Sequence, residues 1–287
     1  MIERNSEILY LYDAQMCNPN GDMDNENKPR EDFDTKTNLV SDVRLKRYLR
    51  DYFEQGLGKE IFITSSAKKA EDRNKQLKEK KLTHFDLIDV RLFGAVTAEK
   101  DTTEGHYTGP VQFAWGYSLH PVELVDSSTI TSSFSSGEGV GKDFRLYYSL
   151  IAFSGSINAN VAAGTQMKLD DLAFLDEAML KAIPLARTRS KIGQYPRLYM
   201  RVELKDKTSF LKDLRPMLQF RPKGAAEDNL HLIRKISDYS LDMSALTAYL
   251  NQNAGKIHKI YLWMDEELKV ENLDGLAVAT DKFTLSH

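Results

Sequence analysis

Predicted strands alternate with predicted helices along this chain, and that order constrains its fold more than any single motif. Residues 7–17 (EILYLYDAQMC) alternate and are rich in Ile, Leu and Tyr, which predicts a first strand, and a helix is predicted from about residue 41 to 53. Further strands are predicted over 144–153, 197–204 and 256–264. Mixed alternation of this kind favours an α+β sheet with helices on one face.

Two large insertions are predicted within that sheet. Residues 65–109 include the almost entirely polar stretch 67–81, which suits a solvated helix on the surface. Residues 127–144 place extended limbs around GEGVGK, which predicts a long β-hairpin. Residues 60–64 (EIFIT) predict a short strand. A ferredoxin-like or RRM-like antiparallel sheet with helices, built as one elaborated domain over residues 1–287, satisfies this order.

The bulk composition excludes several protein classes. A net charge of −3 means that any nucleic-acid surface is local. The lone Cys17 excludes a disulfide framework and a cysteine-based zinc site within one chain, and no cofactor is predicted. No apolar run is long enough for a transmembrane helix, so no membrane partner is expected. The N-terminus lacks the order of a secretory signal, which makes the cytoplasm the expected location.

The loop over residues 18–30 is rich in turn-forming residues. Asn18, Asn20 and Gly21 can take positive φ angles and expose backbone N–H groups. Exposed N–H groups bind phosphate oxygens. Because a basic helix follows directly, this loop is predicted to form part of a phosphate-binding surface.

The helix after the loop carries a basic cluster. Arg44 and Arg47 are spaced i, i+3, and Lys46 and Arg50 are spaced i, i+4, so each pair lies on one side of the helix. One interpretation is a cationic surface for phosphates. The other is a solvated helix face with surface ion pairs of little energetic value.

A second basic cluster follows the helix predicted over 172–183. Arg187, Arg189 and Lys191 alternate, so they would face one way in an extended segment, and Tyr195 would be able to stack on a base. Guanidinium groups match phosphate oxygens well. An ordinary polar loop remains the alternative.

The tip of the predicted hairpin lacks a nucleotide-binding signature. GEGVGK (137–142) has no Ser or Thr after its lysine and is therefore not a P-loop. Val140 is predicted to be an apolar tip residue that wedges between bases, with Lys142 beside it. An ordinary flexible loop is the alternative.

Acidic residues in the same region do not predict a metal site. Asp22 and Asp24 lack EF-hand spacing, and aspartates are common in turns for backbone reasons. His106 lies in a loop that would allow it to take part in catalysis, but no two histidines have the spacing of metal ligands. The chain is therefore predicted to have no catalytic residue and no metal ligand.

Six motifs follow one another along the chain: NPNGD (18–22), NENKPRED (25–32), SDVRLKR (41–47), DVRLFGAV (89–96), TGPVQFAWGYSLHPVEL (108–124) and FSGSINA (153–159). These motifs resemble, in the same order, those of the Cas family seven backbone subunit of type I CRISPR Cascade complexes, in the Csh/Csd-like branch of the RAMP superfamily. The resemblance implies an RRM-like palm with a finger-like insertion and a hairpin thumb. It also implies head-to-tail copies along a CRISPR RNA, other Cascade subunits as partners, and guide bases left free to pair with target DNA.

The resemblance also implies roles for individual residues. Arg44, Lys46 and Arg47 would contact guide phosphates, while Asn18, Asn20, Gly21 and Asp22 would shape the loop beside them. Residues from Ser132 to Lys142 would belong to the thumb, which displaces one nucleotide, with Val140 as the wedge.

Two alternative functions remain open from sequence. The first is an endoribonuclease of the RAMP superfamily, with Asp22 or Asp24 as the candidate acid, or His106 for a metal-free reaction. The second is a general single-strand binder, which would coat any RNA and would not stop at a defined length.

Overall fold

The computed structural model of the protein describes residues 2–97, 105–125, 129–131 and 140–283. For residues 129–131 and for residue 140 it describes the backbone alone. The helices are α1 (Asp42–Asp51), α2 (Ala70–Lys80), α3 (Ile88–Phe93), α4 (Ala159–Ala162), α5 (Leu169–Leu185) and α6 (Ser244–Gln252). The strands are β1 (Ser6–Cys17), β2 (Gly21–Asp22), β3 (Lys28–Pro29), β4 (Glu31–Asp32), β5 (Thr37–Val40), β6 (Gly94–Val96), β7 (His106–Thr108), β8 (Val111–Phe113), β9 (Gly116–Pro121), β10 (Thr129–Thr131), β11 (Val140–Lys142), β12 (Leu146–Ile157), β13 (Gln194–Leu204), β14 (Gln219–Pro222), β15 (Tyr239–Asp242), β16 (Ile257–Met264), β17 (Val270–Glu271) and β18 (Thr280–Lys282).

One large mixed sheet organises the molecule. Among the described residues it has nine strands in the order β18-β16-β13-β1-β12-β9-β5-β4, with β8 also paired to β12. The central strand β1 is antiparallel to β12 and to β13, and β12 is antiparallel to β9. Along the chain, α1 comes between β1 and β9, and α5 comes between β12 and β13. The expected α+β class is therefore confirmed.

The sheet is buried on both faces, because side chains of β1 alternate between two hydrophobic cores. On one face, Tyr10 and Tyr12 pack in a core that includes Leu49 of α1 and Met179 of α5. On the other face, Leu11 belongs to a core that includes residues of α6 and β15. The sequence predicted helices on one face alone, and it missed this second layer because the segments that build it are short and irregular.

Residues 60–64 do not form the predicted strand. Their backbone groups bond to side chains instead of a neighbouring strand. The N–H groups of Phe62 and Ile63 donate to the carboxylate of Asp89 at 2.7 and 3.2 Å, and Arg73 donates to the carbonyl of Ile61. Apolar alternation predicts which side chains are buried but does not reveal that the backbone partners come from a distant helix.

The predicted insertion has a small core of its own. Phe62, Leu77 of α2, Leu87 and Val90 of α3 form a cluster separate from the two main cores. The polar helix predicted over 67–81 is confirmed as α2, and its N-terminal half exposes mostly charged side chains.

The alternation of residues 110–124 predicts one strand, but the structure divides this segment into β8 and β9, with Ala114 and Trp115 between them. The predicted hairpin is present as a ladder that pairs Thr129 with Lys142 and Thr131 with Val140. Val140 to Lys142 are thus strand residues, although the sequence placed them at the tip. Ser132 lies in 132–139, outside the described residues.

No helix in the described ranges is long and apolar enough to cross a membrane.

A partly buried carboxylate on β1 makes the fold sensitive to pH. The pKa of Glu7 is raised from 4.5 to about 7, mainly by burial. The backbone N–H of Leu211, 3.4 Å from the carboxylate, opposes this rise, and the nearby charge of Asp213 contributes to it. The folded chain therefore holds a proton on Glu7 that the unfolded chain has already lost in this pH range.

We expect the Glu7→Gln variant to be more stable than the parent at neutral and alkaline pH. Because the folded state binds the proton more tightly, the free energy of unfolding of the parent falls as the pH rises from 4.5 to about 7, and then levels off. The neutral amide of the variant removes this loss, so its free energy of unfolding should exceed that of the parent by about 1 kcal/mol. This value is smaller than the full pKa shift would give, because Glu7 is partly exposed to solvent. Urea unfolding across this pH range measures it, and an unchanged pH profile in the variant would contradict the assignment to Glu7.

Candidate nucleic-acid interface

The loop over residues 18–30 is fixed to the segment that carries the second basic cluster. The N–H of Asn18 donates to the carbonyl of Ser190 at 3.0 Å, and its side-chain amide donates to the carbonyl of Asn27 at 2.8 Å. The Lys191 ammonium donates to the carbonyls of Asn18 and Pro19. The sequence predicted these two segments as separate features, and the structure brings them together at the end of β1.

The same loop is fixed to the first turn of α1. The Asn20 side-chain oxygen accepts a hydrogen bond from the Ser41 hydroxyl at 3.0 Å, and Ser41 caps the helix by accepting from the N–H of Arg44 at 3.3 Å. Asn20 is therefore buried and holds the loop against the helix, so it contributes to the surface by positioning.

The predicted backbone conformation of the loop is wrong in detail. Positive φ angles occur at Glu26 and Asn27, not at Asn18, Asn20 or Gly21. Gly21 is required for a different reason, because a Cβ there would lie 1.9 Å from the side-chain oxygen of Asn27. The tight β2–β3 pairing of Gly21 with Pro29 brings these residues together.

The basic residues of α1 occupy three different environments. The Arg44 guanidinium carbon lies 4.1 Å from the centre of the Tyr48 ring, and no carboxylate among the described residues pairs with it. Its Nε atom is buried and makes no hydrogen bond with the described residues. Arg44 is thus a cation held in place by stacking, with its charge not neutralised by a neighbouring acid.

Lys46 and Arg47 each pair with an acidic residue on the same helix, and their contacts with phosphate stay a prediction. Lys46 is buried, with its ammonium 2.9 Å from the Gln112 side-chain oxygen and 3.3 Å from the Asp42 carboxylate. Arg47 contacts the Asp51 carboxylate at 2.7 Å and also donates to a backbone carbonyl. The i, i+4 spacing places an aspartate within reach of each of these cations. Arg44 remains the α1 residue best placed for a phosphate.

We expect Lys46→Gln to change stability and leave RNA binding nearly unchanged. The amide loses the ion pair with Asp42, and one such partly buried interaction contributes about 1 kcal/mol to the free energy of unfolding. Thermal unfolding measures the first effect, and the salt dependence of RNA binding measures the second. A shallower salt dependence would show that Lys46 contacts phosphate after all.

The second basic cluster is a turn and not the extended segment that the sequence predicted. The N–H groups of Lys191 and Ile192 both donate to the carbonyl of Thr188, so the three basic side chains diverge. Arg187 is exposed and has no ion-pair partner in the described part of the chain. Arg189 is exposed and contacts the Asp143 carboxylate at 2.8 Å.

The Lys191 side chain points into the protein, and the pKa of its ammonium group is lower than usual. The pKa of the Lys191 ammonium is lowered to about 8, mainly by burial and in part by the positive charge of Arg44. Lys191 and the start of α1 therefore lie near each other. Lys191 mainly holds the loop through its bonds to backbone carbonyls.

The base of the hairpin joins the same region. The Lys142 ammonium lies 3.0 Å from both oxygens of Glu26 in the loop. Arg145, at the start of β12, contacts Asp143 at 2.6 Å and donates to the carbonyl of Met16. We call the region formed by residues 16–30, the first turn of α1, residues 186–193 and residues 141–145 the basic edge.

Basic side chains outnumber acidic ones at the basic edge. Its described cations are Lys28, Arg30, Arg44, Lys142, Arg145, Arg187, Arg189 and Lys191, and the acids paired with them are Asp22, Glu26 and Asp143. The sequence did not identify Lys28, Arg30 or Arg145 as part of this surface, because only the tertiary fold brings Lys28 and Arg30 of the loop together with Arg145 and the other cations.

The aspartates of the loop do not form a metal site in the described residues. Asp22 contacts the Arg30 guanidinium at 3.1 Å and also caps a short turn by accepting from the N–H of Asp24. No group of three or more His, Cys, Asp or Glu side chains within the described ranges is arranged to hold a metal ion. Asp24 and His106 are exposed.

Comparisons with known proteins identify a family. A family model described as CRISPR-associated protein Cas7 matches residues 4–244. A relative named CRISPR-associated protein Cas7, from Haloferax volcanii, is 31% identical over 307 aligned positions, which cover 93% of this chain and 88% of the relative.

Two solved structures share the fold. A chain of a CRISPR RNA-guided surveillance complex superposes with a TM-score of 0.54 at 17% identity, covering 97% of this chain and 94% of that one. A chain of a surveillance complex described as pre-nicking superposes with a TM-score of 0.55 at 14% identity, covering 97% and 96%.

Proposed function

Because the chain belongs to the Cas7 family, we propose that it is the backbone subunit of a CRISPR Cascade surveillance complex in antiviral defence. In this role it binds CRISPR RNA, assembles head-to-tail with copies of itself along the guide, and meets other Cascade subunits at the ends. Binding and presentation of the guide, without catalysis, are its contribution. The guide bases then pair with a strand of invading DNA.

The observation that carries this proposal is the basic edge. Its loop is held by a hydrogen bond that the Asn18 amide donates and by one that the Asn20 side-chain oxygen accepts from Ser41. Arg44 and Arg187 lie beside this loop and have no neutralising acid in the described residues. Fixed cations bind sugar–phosphate regardless of sequence, and specificity is left to base pairing. A local cationic surface also agrees with a net charge of −3, because acids predominate elsewhere.

We further propose that the sheet core is an RRM-like palm. The strand order β13-β1-β12-β9, with α1 and α5 as the crossover helices on one face, supports it. In this description, residues 65–109 are the finger-like insertion and residues 127–144 the thumb. Thumb roles for Ser132, Val140 and Lys142 stay predictions, and contacts of the thumb with a neighbouring copy would build an open helical filament.

Co-expression with a CRISPR array tests the proposed function. The chain, purified with its partner subunits, should carry RNA whose protected length is constant and covers the guide, with several copies per RNA. A coat on random cellular RNA of all lengths would instead support a general single-strand binder.

The ribonuclease alternative has a separate test. Single-stranded RNA incubated with the chain and divalent metal should remain intact. Metal-dependent cleavage that Asp22→Ala or Asp24→Ala abolishes would replace the binding role with a catalytic one. Asp72→Ala is the control, because Asp72 is an exposed aspartate on α2, outside the loop.

A further inference from the structure

A tryptophan is exposed at a break in the main sheet, beside the basic edge. Trp115 lies between β8 and β9, and 47% of its surface is exposed. The backbone on either side stays paired, since Ala114 donates to the carbonyl of Ser154 at 2.9 Å and β9 continues at Gly116. A large apolar ring is therefore presented to solvent on a rigid support.

The surroundings of Trp115 fix its position. Arg215 donates to the Trp115 carbonyl at 2.7 Å and is itself held by the Asp213 carboxylate at 2.6 Å. The Arg30 guanidinium carbon lies 5.9 Å from the ring centre, and Arg30 is held by Asp22 at 3.1 Å. The backbone that carries the ring is thus held by Arg215, and a cation lies beside the ring.

The strand register places this ring next to the proposed RNA-binding surface. Gly116 pairs with Val40, the residue that precedes the Ser41 cap of α1. The N–H of Arg30 donates to the carbonyl of Asn20, at 3.0 Å. Trp115 is therefore adjacent to both the loop and the helix start of the basic edge.

We propose that Trp115 is a stacking platform for one nucleobase of the bound RNA, with Arg30 supplying positive charge beside that nucleotide. This inference rests on the proposed function, because it needs RNA on the basic edge. An aromatic ring accepts any base on its face, which suits a surface that must hold guides of every sequence. A phosphate-binding surface alone does not require an exposed indole, whereas a base-stacking site requires an aromatic ring next to such a surface.

Tryptophan emission tests the proposal directly. The chain has two tryptophans, so Trp263→Phe leaves Trp115 as the single reporter. Single-stranded RNA added to this full-length variant should quench the Trp115 emission and reach saturation with binding. RNA of the same length without bases should bind through its phosphates and leave the emission unchanged.

Affinity provides a second readout. We expect Trp115→Ala to weaken RNA binding about tenfold without changing its salt dependence, and Trp115→Phe to recover part of the loss. Phe33→Ala is the matched control, because Phe33 is also an exposed aromatic residue with a cation, Lys36, near its ring. Phe33 lies outside the β5–β9 pairing, past the end at which Thr37 pairs with Pro121. Its affinity should equal that of the parent.

The outcomes separate this inference from the proposed function. Normal RNA binding with unchanged Trp115 emission and unchanged affinity in Trp115→Ala would overturn the stacking platform and leave the proposed function standing. If the Trp115 emission changes with protein concentration and not with RNA, Trp115 lies at a contact between copies of the chain. That result would also overturn the stacking platform. Failure of the parent chain to bind RNA would refute the proposed function itself.

Discussion

Replacing both Arg44 and Arg187 with glutamine is expected to weaken RNA binding strongly and to flatten its salt dependence. Each phosphate contact to single-stranded nucleic acid contributes about 0.7 to the slope of log K against log salt concentration, so the double variant should lose about 1.4. Neither arginine has an acidic partner in the described residues, so removal of its charge leaves no carboxylate unpaired. Binding titrations at several salt concentrations measure the slope.

The control is a double variant that replaces one arginine and one lysine far from the basic edge. Arg221 in β14 contacts Asp242, and Lys259 in β16 pairs with Asp281 in β18, both away from the basic edge. The double variant Arg221→Gln/Lys259→Gln removes the same formal charge, so its slope should equal that of the parent. Equal slopes in the parent and in both double variants would show that Arg44 and Arg187 do not contact phosphate.

Replacing Asp89 with alanine is expected to cause the largest loss of stability, about 3–5 kcal/mol in the free energy of unfolding. The Asp89 carboxylate is 1% exposed and accepts from the Arg50 guanidinium at 3.0 Å as well as from the N–H groups of Phe62 and Ile63. Its removal leaves a buried guanidinium and two backbone donors without partners. Because Arg50 lies on α1, the change also loosens the helix that carries Arg44.

The Arg47–Asp51 pair on the same helix is the natural control. Both side chains are partly exposed, and an exposed i, i+4 pair contributes about 0.3–0.5 kcal/mol. Urea unfolding of Asp51→Ala should therefore show a loss well below 1 kcal/mol, while Asp89→Ala shifts the midpoint strongly. Similar losses in the two variants would contradict the assigned role of Asp89.

Local periodicity was sufficient to predict the long strands of the main sheet and the helix that carries the basic cluster. The apolar pattern of residues 7–17 predicted β1, and α1 lies within the helix predicted from about residue 41 to 53. Residues 60–64 were predicted wrongly, because Asp89 supplies their backbone partners from 25 or more residues away. The second core was missed for the same reason, since contacts between distant segments build it.

The candidate site was predictable in its parts but not in its charge balance. The loop and the two basic clusters were identified from composition and from the resemblance, and the structure joins them through bonds such as Lys191 to Asn18. Which cations remain available depends partly on i, i+4 neighbours such as Asp42, which the sequence reveals, and partly on residues such as Gln112 and Asp143 that only the fold brings close. Gln112 and Asp42 engage Lys46, Asp143 engages Arg189, and Arg44 keeps its charge above the Tyr48 ring.

The most direct test of the account is whether RNA bound by this chain can still pair through its bases. A guide RNA saturated with protein should hybridise to complementary single-stranded DNA over most of its length, while its sugar–phosphate backbone stays protected from nuclease. The account predicts a stable ternary complex of protein, RNA and DNA. Release of the protein on hybridisation, or failure of the bound RNA to pair, would contradict it.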